Sequence, residues 1–159
     1  MEQRARRLSS LPPGAEANTV LYIENARGAL SVTQPRPSIV VTQVSGHLDE
    51  PLAEQLMDSL GPVLERSKKV ALFHDWEQLD SYDSKARKRL TEWVIARRAL
   101  MEGGWFLTRS PMVAMGVATA GAATALVGHT LHASLDRRTW ERLLRGRLEA
   151  PPADQREAR

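Results

Sequence analysis

The chain has 159 residues, with 22 lysines and arginines against 19 aspartates and glutamates, a net charge of +3 and no cysteine. This length and a hydrophobic content of 42% indicate one globular domain with a single core. The lack of cysteine excludes disulfides, thiolate metal sites and cysteine nucleophiles. Because the basic residues are mostly interleaved with acidic ones, we expect no nucleic-acid binding.

Both ends of the chain are predicted to be flexible tails. Residues 1–18 and 150–159 contain prolines and almost no apolar periodicity, which is typical of loosely held segments. The N-terminal arginines are not followed by an apolar stretch, so we expect no secretory signal peptide and a cytoplasmic location. A single domain is therefore predicted to span residues 19–149.

The first part of this domain is predicted to form strands. β-branched and aromatic residues cluster here and are interrupted by Gly28, Pro35 and Pro37. The predicted strands are Thr19–Ile23, Ala29–Thr33 and Ile39–Val44.

A helix and a buried strand are predicted next. Leucines recur at helical spacing from residue 52 to residue 64, and Pro51 suits a first helical turn, whereas Gly61 and Pro62 weaken the second half. The apolar run Val70–Phe73 then predicts a central strand.

The second half of the chain continues this alternation. Apolar residues between 90 and 101 predict an amphipathic helix that Gly103 and Gly104 end, and a strand follows at residues 105–108. Ser110 and Pro111 predict the start of an alanine- and glycine-rich helix. A short strand and a last amphipathic helix that begins at Asp136 complete the domain.

The uncharged stretch of residues 111–128 requires a check for a membrane span. Its residues are mostly small, with few of the large apolar side chains that drive insertion. We therefore expect a helix buried against a sheet and, at most, peripheral membrane contact.

The alternating order of strands and helices predicts an α/β fold, a mixed sheet of about four to five strands covered by about four helices.

This order of elements and three segments of the sequence together resemble the STAS-like superfamily. The segments are VSGHLDEPLAEQLMDSL, VALFHDWEQLDSYDSKARKRLTEW and TRSPMVAMGVATAGAATA. The superfamily includes the bacterial anti-sigma-factor antagonists and a lipid-transfer relative, the CRAL-TRIO domain. The resemblance covers residues 29–148. It implies a non-catalytic bacterial regulatory or scaffold protein that signals through protein-protein contacts, and self-association into a homodimer or larger assembly.

Two short motifs carry the resemblance. Gly46 to Asp49 match the G-x-L-D segment of the family. In the antagonists, a partner kinase phosphorylates a serine in an Asp-Ser-Ser-Gly-like turn at a helix start. The matching position reads Asp83-Ser84-Lys85-Ala86, without the second serine and the glycine, so the resemblance implies Ser84 as the phosphorylation candidate.

The segment around Ser84 has three interpretations. In the simplest one, Asp83 or Ser84 caps a helix that begins at Lys85, and Asp80 and Ser81 form the turn before it. In the second, a phosphate on Ser84 is stabilised by the free amides of the helix N-terminus and by the basic residues that follow.

The third interpretation is a hydrolase that uses His74 and Asp83. No nucleophile elbow or oxyanion-loop motif accompanies these residues, and we expect no catalytic residues. His74 and its neighbour Asp75 are predicted to point to opposite faces of a strand. The four histidines are scattered, so we expect no metal site and no cofactor.

The sequence thus predicts that function lies in contacts with a protein partner. The residues expected to make these contacts, named here the docking surface, are Asp80, Ser81, Asp83, Ser84, Arg87 and Lys88. The alternative is a CRAL-TRIO-like protein that binds a lipid or a small apolar ligand. That alternative predicts a cavity beneath the helix Met112–Val127.

Overall fold

The computed structural model describes residues 18–67, 69–134 and 136–151, with only the backbone of Asn18 and Thr19. The predicted tails lie outside this part of the chain, apart from residues 18, 150 and 151. The strands are β1 (Asn18–Glu24), β2 (Gly28–Arg36), β3 (Ile39–Leu48), β4 (Val70–Trp76), β5 (Leu79–Tyr82), β6 (Met101–Thr108) and β7 (Leu131–Ser134). The helices are α1 (Glu50–Arg66), α2 (Ser84–Arg97), α3 (Pro111–Ala125) and α4 (Arg137–Glu149), and a short 3-10 turn covers Arg98–Leu100.

The strands form one mixed sheet in the order β1-β2-β3-β4-β6-β7. β1, β2 and β3 are antiparallel, whereas β3, β4, β6 and β7 are parallel. β5 pairs in parallel with the last residues of β3, beyond the point where β4 leaves that strand. The predicted mixed α/β fold is confirmed, and the seven strands of the described chain exceed the predicted four to five.

Helices cover both faces of the sheet. α1, α2 and α3 pack on one face, where Leu72 and Trp76 of β4 belong to the larger core. α4 packs on the other face, where Phe73 contacts Trp140 and Leu144. Because side chains alternate along a strand, β4 contributes to both cores, and all its residues are buried.

Local signals position three of the four helices. Asp49, Ser110 and Asp136 each accept a hydrogen bond from a backbone amide in the first turn of the helix that follows. The predicted starts at Ser110 and Asp136 are thus confirmed. α1 continues through Gly61 and Pro62 to Arg66, because Val63 and Leu64 are buried in the core beyond them.

The predicted end of the second helix is wrong. α2 ends at Arg97, and Gly103 and Gly104 lie within β6. A Cβ atom on Gly104 would lie 3.0 Å from a methyl carbon of Leu131 in β7, so glycine here allows the neighbouring strand to approach. No helix in the described ranges is long and apolar enough to cross a membrane.

Candidate functional site

The docking surface lies where β5 leads into α2. Asp80 and Ser81 belong to β5, so the prediction that they form a turn is wrong. α2 begins at Ser84, one residue before the predicted start, and Asp83 occupies its N-cap position. The peptide carbonyl of Asp80 accepts a hydrogen bond from the Ser110 hydroxyl (3.2 Å), which joins this region to the start of α3.

His47 of β3 connects two residues of the docking surface. It pairs with Ser81 across the β3–β5 ladder. Its Nε2–H donates to Asp83 Oδ1 at 2.9 Å, because an ionised carboxylate can only accept. In the neutral ring, Nδ1 then accepts from the Ser81 hydroxyl at 2.7 Å. One half-buried imidazole therefore holds Ser81 and Asp83 in place.

The G-x-L-D segment explains how His47 is positioned. Gly46 has a φ of 76°, in the left-handed region that favours glycine. A Cβ atom at Gly46 would also lie 2.5 Å from the carbonyl oxygen of Arg27, so no side chain fits there. After His47, Leu48 enters the core and Asp49 caps α1. Sequence reasoning matched this segment but missed His47, because its partner Ser81 lies 34 residues away in the chain.

The N-terminus of α2 has no side-chain cap. The carboxylate of Asp83 is turned towards His47 and makes no hydrogen bond to the first-turn amides, so the prediction that it caps the helix is wrong. Ser84 lies inside the first turn and does not cap it either. In contrast to α1, α3 and α4, no side chain in the described part of the protein accepts a hydrogen bond from the first-turn amides of α2.

The basic residues in the first half of α2 divide into three groups by environment. Lys88 and Lys85 are exposed, and Lys88 lies one turn after the exposed Ser84, on the same face of the helix. Arg89 forms an ion pair with Glu54 of α1. Arg87 is half-buried and faces the interior side of α2. The docking surface therefore has three exposed members, Asp80, Ser84 and Lys88.

His74 does not belong to the docking surface. It is buried, its Nδ1 lies 2.7 Å from the hydroxyl of Thr42, and its ring stacks on Phe106 with centroids 4.2 Å apart. Burial lowers the pKa of His74 to about 3. Its neighbour Asp75 points to the opposite face, as expected, and accepts from Arg137 of α4 at 3.0 Å. The structure therefore does not bring His74 and Asp83 together.

An apolar cavity lies between the sheet and the three helices on its first face. Its volume is about 80 Å³, and α3 forms one wall with Val113, Gly116, Val117 and Ala120. On the other side of the cavity, α2 contacts α1 and α3, and Ala86 is its fully buried residue. The cavity predicted beneath the helix Met112–Val127 is therefore present.

The sequence matches no protein-family model and no curated protein. Solved structures do match. An uncharacterised protein of the DUF3478 family with a SpoIIAA-like fold, from Shewanella loihica, is 13% identical with a TM-score of 0.54, and the match covers 74% of this chain and 94% of that one. The anti-sigma factor antagonist SpoIIAA in its unphosphorylated form is 18% identical with a TM-score of 0.54, and the match covers 74% and 96%. The architecture and these two matches show that the chain has a SpoIIAA-like fold, the fold that the sequence resemblance predicted.

Proposed function

We propose that this protein is a non-catalytic regulatory or scaffold component that docks on a protein partner through the docking surface. The arrangement around His47 is the observation that most supports this function. It holds Ser81 and Asp83 in place and turns the Asp83 carboxylate away from the first turn of α2, so this helix end has no side-chain cap and favours an acidic group of a partner. The same fold occurs in SpoIIAA, which is described as an anti-sigma factor antagonist.

A phosphate on Ser84 is the proposed gate of this contact. It would lie at a helix N-terminus without a side-chain cap, where amides and the helix dipole favour negative charge. Lys88 is within reach on the next turn. A phosphate there would occupy the amides that the partner uses, so phosphorylation is expected to release the partner.

Removing exposed charges from the docking surface should abolish partner capture. We expect the double variant Asp80→Ala/Lys88→Ala to retain about tenfold less of a specific partner than the wild type in pull-downs from the native cell. The matched control is Arg138→Ala/Glu149→Ala, which removes one exposed acid and one exposed base from α4 on the other face. Equal capture by both variants, with unchanged circular dichroism, would contradict the docking proposal.

The phosphate gate has its own test. Ser84→Asp is expected to lower capture of the same partner several-fold, whereas Ser84→Ala should retain it, because alanine adds no charge at the helix start. Peptide mapping of the protein from its native cell should show phosphate on Ser84. Equal capture by the two variants, or phosphate only at other serines, would exclude this gate without affecting docking itself.

Binding of a lipid or another apolar ligand is the second candidate function. The apolar cavity beneath α3 is the observation that favours it. A copurifying small molecule in native mass spectra would support this function.

Light scattering on the same sample tests the homodimer or larger assembly that the family resemblance implies.

A further inference from the structure

His74 presents one polar atom to the cavity. The Nδ1 side of its ring faces Thr42 of β3, and its Cδ2 lies 3.9 Å from where a Cβ atom on Gly104 of β6 would be. The far edge of the ring, which carries Nε2, therefore points away from the strands and into the cavity that His74 lines. Nε2 has no hydrogen-bond partner among the residues that the structure describes, although only 6% of the residue is exposed.

The contacts of Thr42 determine which nitrogen carries the proton. The indole Nε1–H of Trp76 donates to Thr42 Oγ1 at 3.0 Å. Within the described residues, His74 Nδ1 is the acceptor for the one hydroxyl proton of Thr42. Nδ1 is therefore an acceptor, and the neutral ring carries its proton on Nε2. Because burial lowers the pKa of His74 to about 3, the ring is neutral near pH 7.

The surroundings of this N–H donor are almost entirely apolar. Trp76 and Phe106 of the sheet and Trp93 of α2 contribute aromatic walls. The hydroxyl of Thr91 already donates to the carbonyl of Arg87 at 2.9 Å. Arg87 of α2 also lines the cavity. Burying an anion among these apolar walls is costly, whereas a neutral acceptor satisfies the His74 donor without that cost. A carboxylate probe therefore tests whether Arg87 offsets the cost.

We propose that the cavity, which is partly open to solvent, binds the oxygen-bearing end of an uncharged, mainly apolar molecule, such as a medium-chain ketone or ester, and that His74 Nε2–H donates to its acceptor oxygen. The cavity volume of about 80 Å³ admits only this end of the molecule, and the rest of the chain extends through the open side. The proposal rests on the second candidate function, ligand binding, and names the class of ligand.

The test compares three probes of equal chain length: 2-octanone, octane and octanoate. Binding can be followed by the fluorescence of Trp76 and Trp93, which line the cavity. We expect 2-octanone to bind about tenfold more tightly than octane, because it satisfies a buried donor, and octanoate to bind more weakly than 2-octanone. His74→Phe should remove the preference of 2-octanone over octane and retain aromatic packing on Phe106.

A matched pair of variants on α3 tests whether the probes bind inside the cavity. Together with the three probes, it separates ligand binding itself from the proposed class of ligand. Ala120→Leu adds volume inside the cavity, whereas Ala118→Leu adds the same volume on the exposed face. We expect the first to weaken both octane and 2-octanone and the second to change neither. If no probe binds the wild type, ligand binding itself fails. If octane or octanoate binds as well as 2-octanone, only the assigned class fails.

A spectroscopic readout on the wild type does not depend on any variant. Nitrogen-15 spectra of the histidine side chains should show the His74 proton on Nε2, and the Nε2–H signal should shift when 2-octanone binds. A proton on Nδ1, or no shift on saturation with 2-octanone, would overturn the proposed donor.

Discussion

Replacing Trp140 with alanine should destabilise the protein by about 3–5 kcal/mol, the usual cost of truncating a fully buried tryptophan. Trp140 is 1% exposed and meets the edge of Phe73, with ring centroids 5.8 Å apart. Its indole N–H also donates to the carbonyl of Trp105 at 3.0 Å. Truncation would leave a void beneath α4 and a carbonyl without its donor. Urea unfolding at pH 7 measures the loss.

Leu143 supplies the matched control on the same helix. It is 46% exposed, so Leu143→Ala should change the free energy of unfolding by no more than about 0.5 kcal/mol. Because α4 covers the face opposite the docking surface and the cavity, the folded Trp140→Ala protein should still capture its partner. A loss below about 1 kcal/mol would show that α4 is not packed as described.

Acid should destabilise the protein through His74. Its pKa is lowered from the ordinary 6.5 to about 3 in the folded state. Between these values the unfolded chain binds a proton that the folded protein does not, so stability rises with pH across this window. The contribution of neutral His74 to the free energy of unfolding is complete above pH 6.5. It is lost as the pH falls, at about 1.4 kcal/mol per pH unit. Between pH 7 and pH 4.5 the loss amounts to about 3 kcal/mol.

The measurement is urea unfolding of the wild type and of His74→Phe at both pH values. The wild type should lose about 3 kcal/mol more than the variant between pH 7 and pH 4.5. The pKa of His129 is also lowered by burial, but that histidine is present in both proteins, so its effect cancels when their losses of stability are compared. Within the described chain, Arg87 is the charged residue that lines the same cavity, and it stays protonated throughout this range. An equal loss in the two proteins would contradict the prediction.

Much of the fold was predictable because its signals are local. Ser110 and Asp136 mark helix starts by residue type alone, and the apolar run of β4 indicates a strand buried on both faces. β5 was missed because only Leu79 among its residues is fully buried, so it has little apolar pattern. Its pairing with β3 joins residues more than thirty positions apart, which no local pattern can indicate.

The helix start in the candidate site was predictable, but the side-chain contacts around it were not. The residue types around Ser84 indicated a polar helix start, and the structure has one there. The side-chain direction of Asp83 depends on His47, which arrives from another strand. Likewise, the sequence predicted that His74 lies at the end of a buried strand, but its free donor depends on Thr42 and Trp76. Such roles follow from tertiary contacts and not from spacing.

α2 carries exposed members of the docking surface on its outer side and covers the cavity with its inner side. A ligand that displaces this helix and a partner that binds it would therefore act on the same equilibrium between two positions of α2. Thermodynamic reciprocity then requires each to change the affinity of the other by the same factor. The domain would in this way report the presence of a small molecule to a protein.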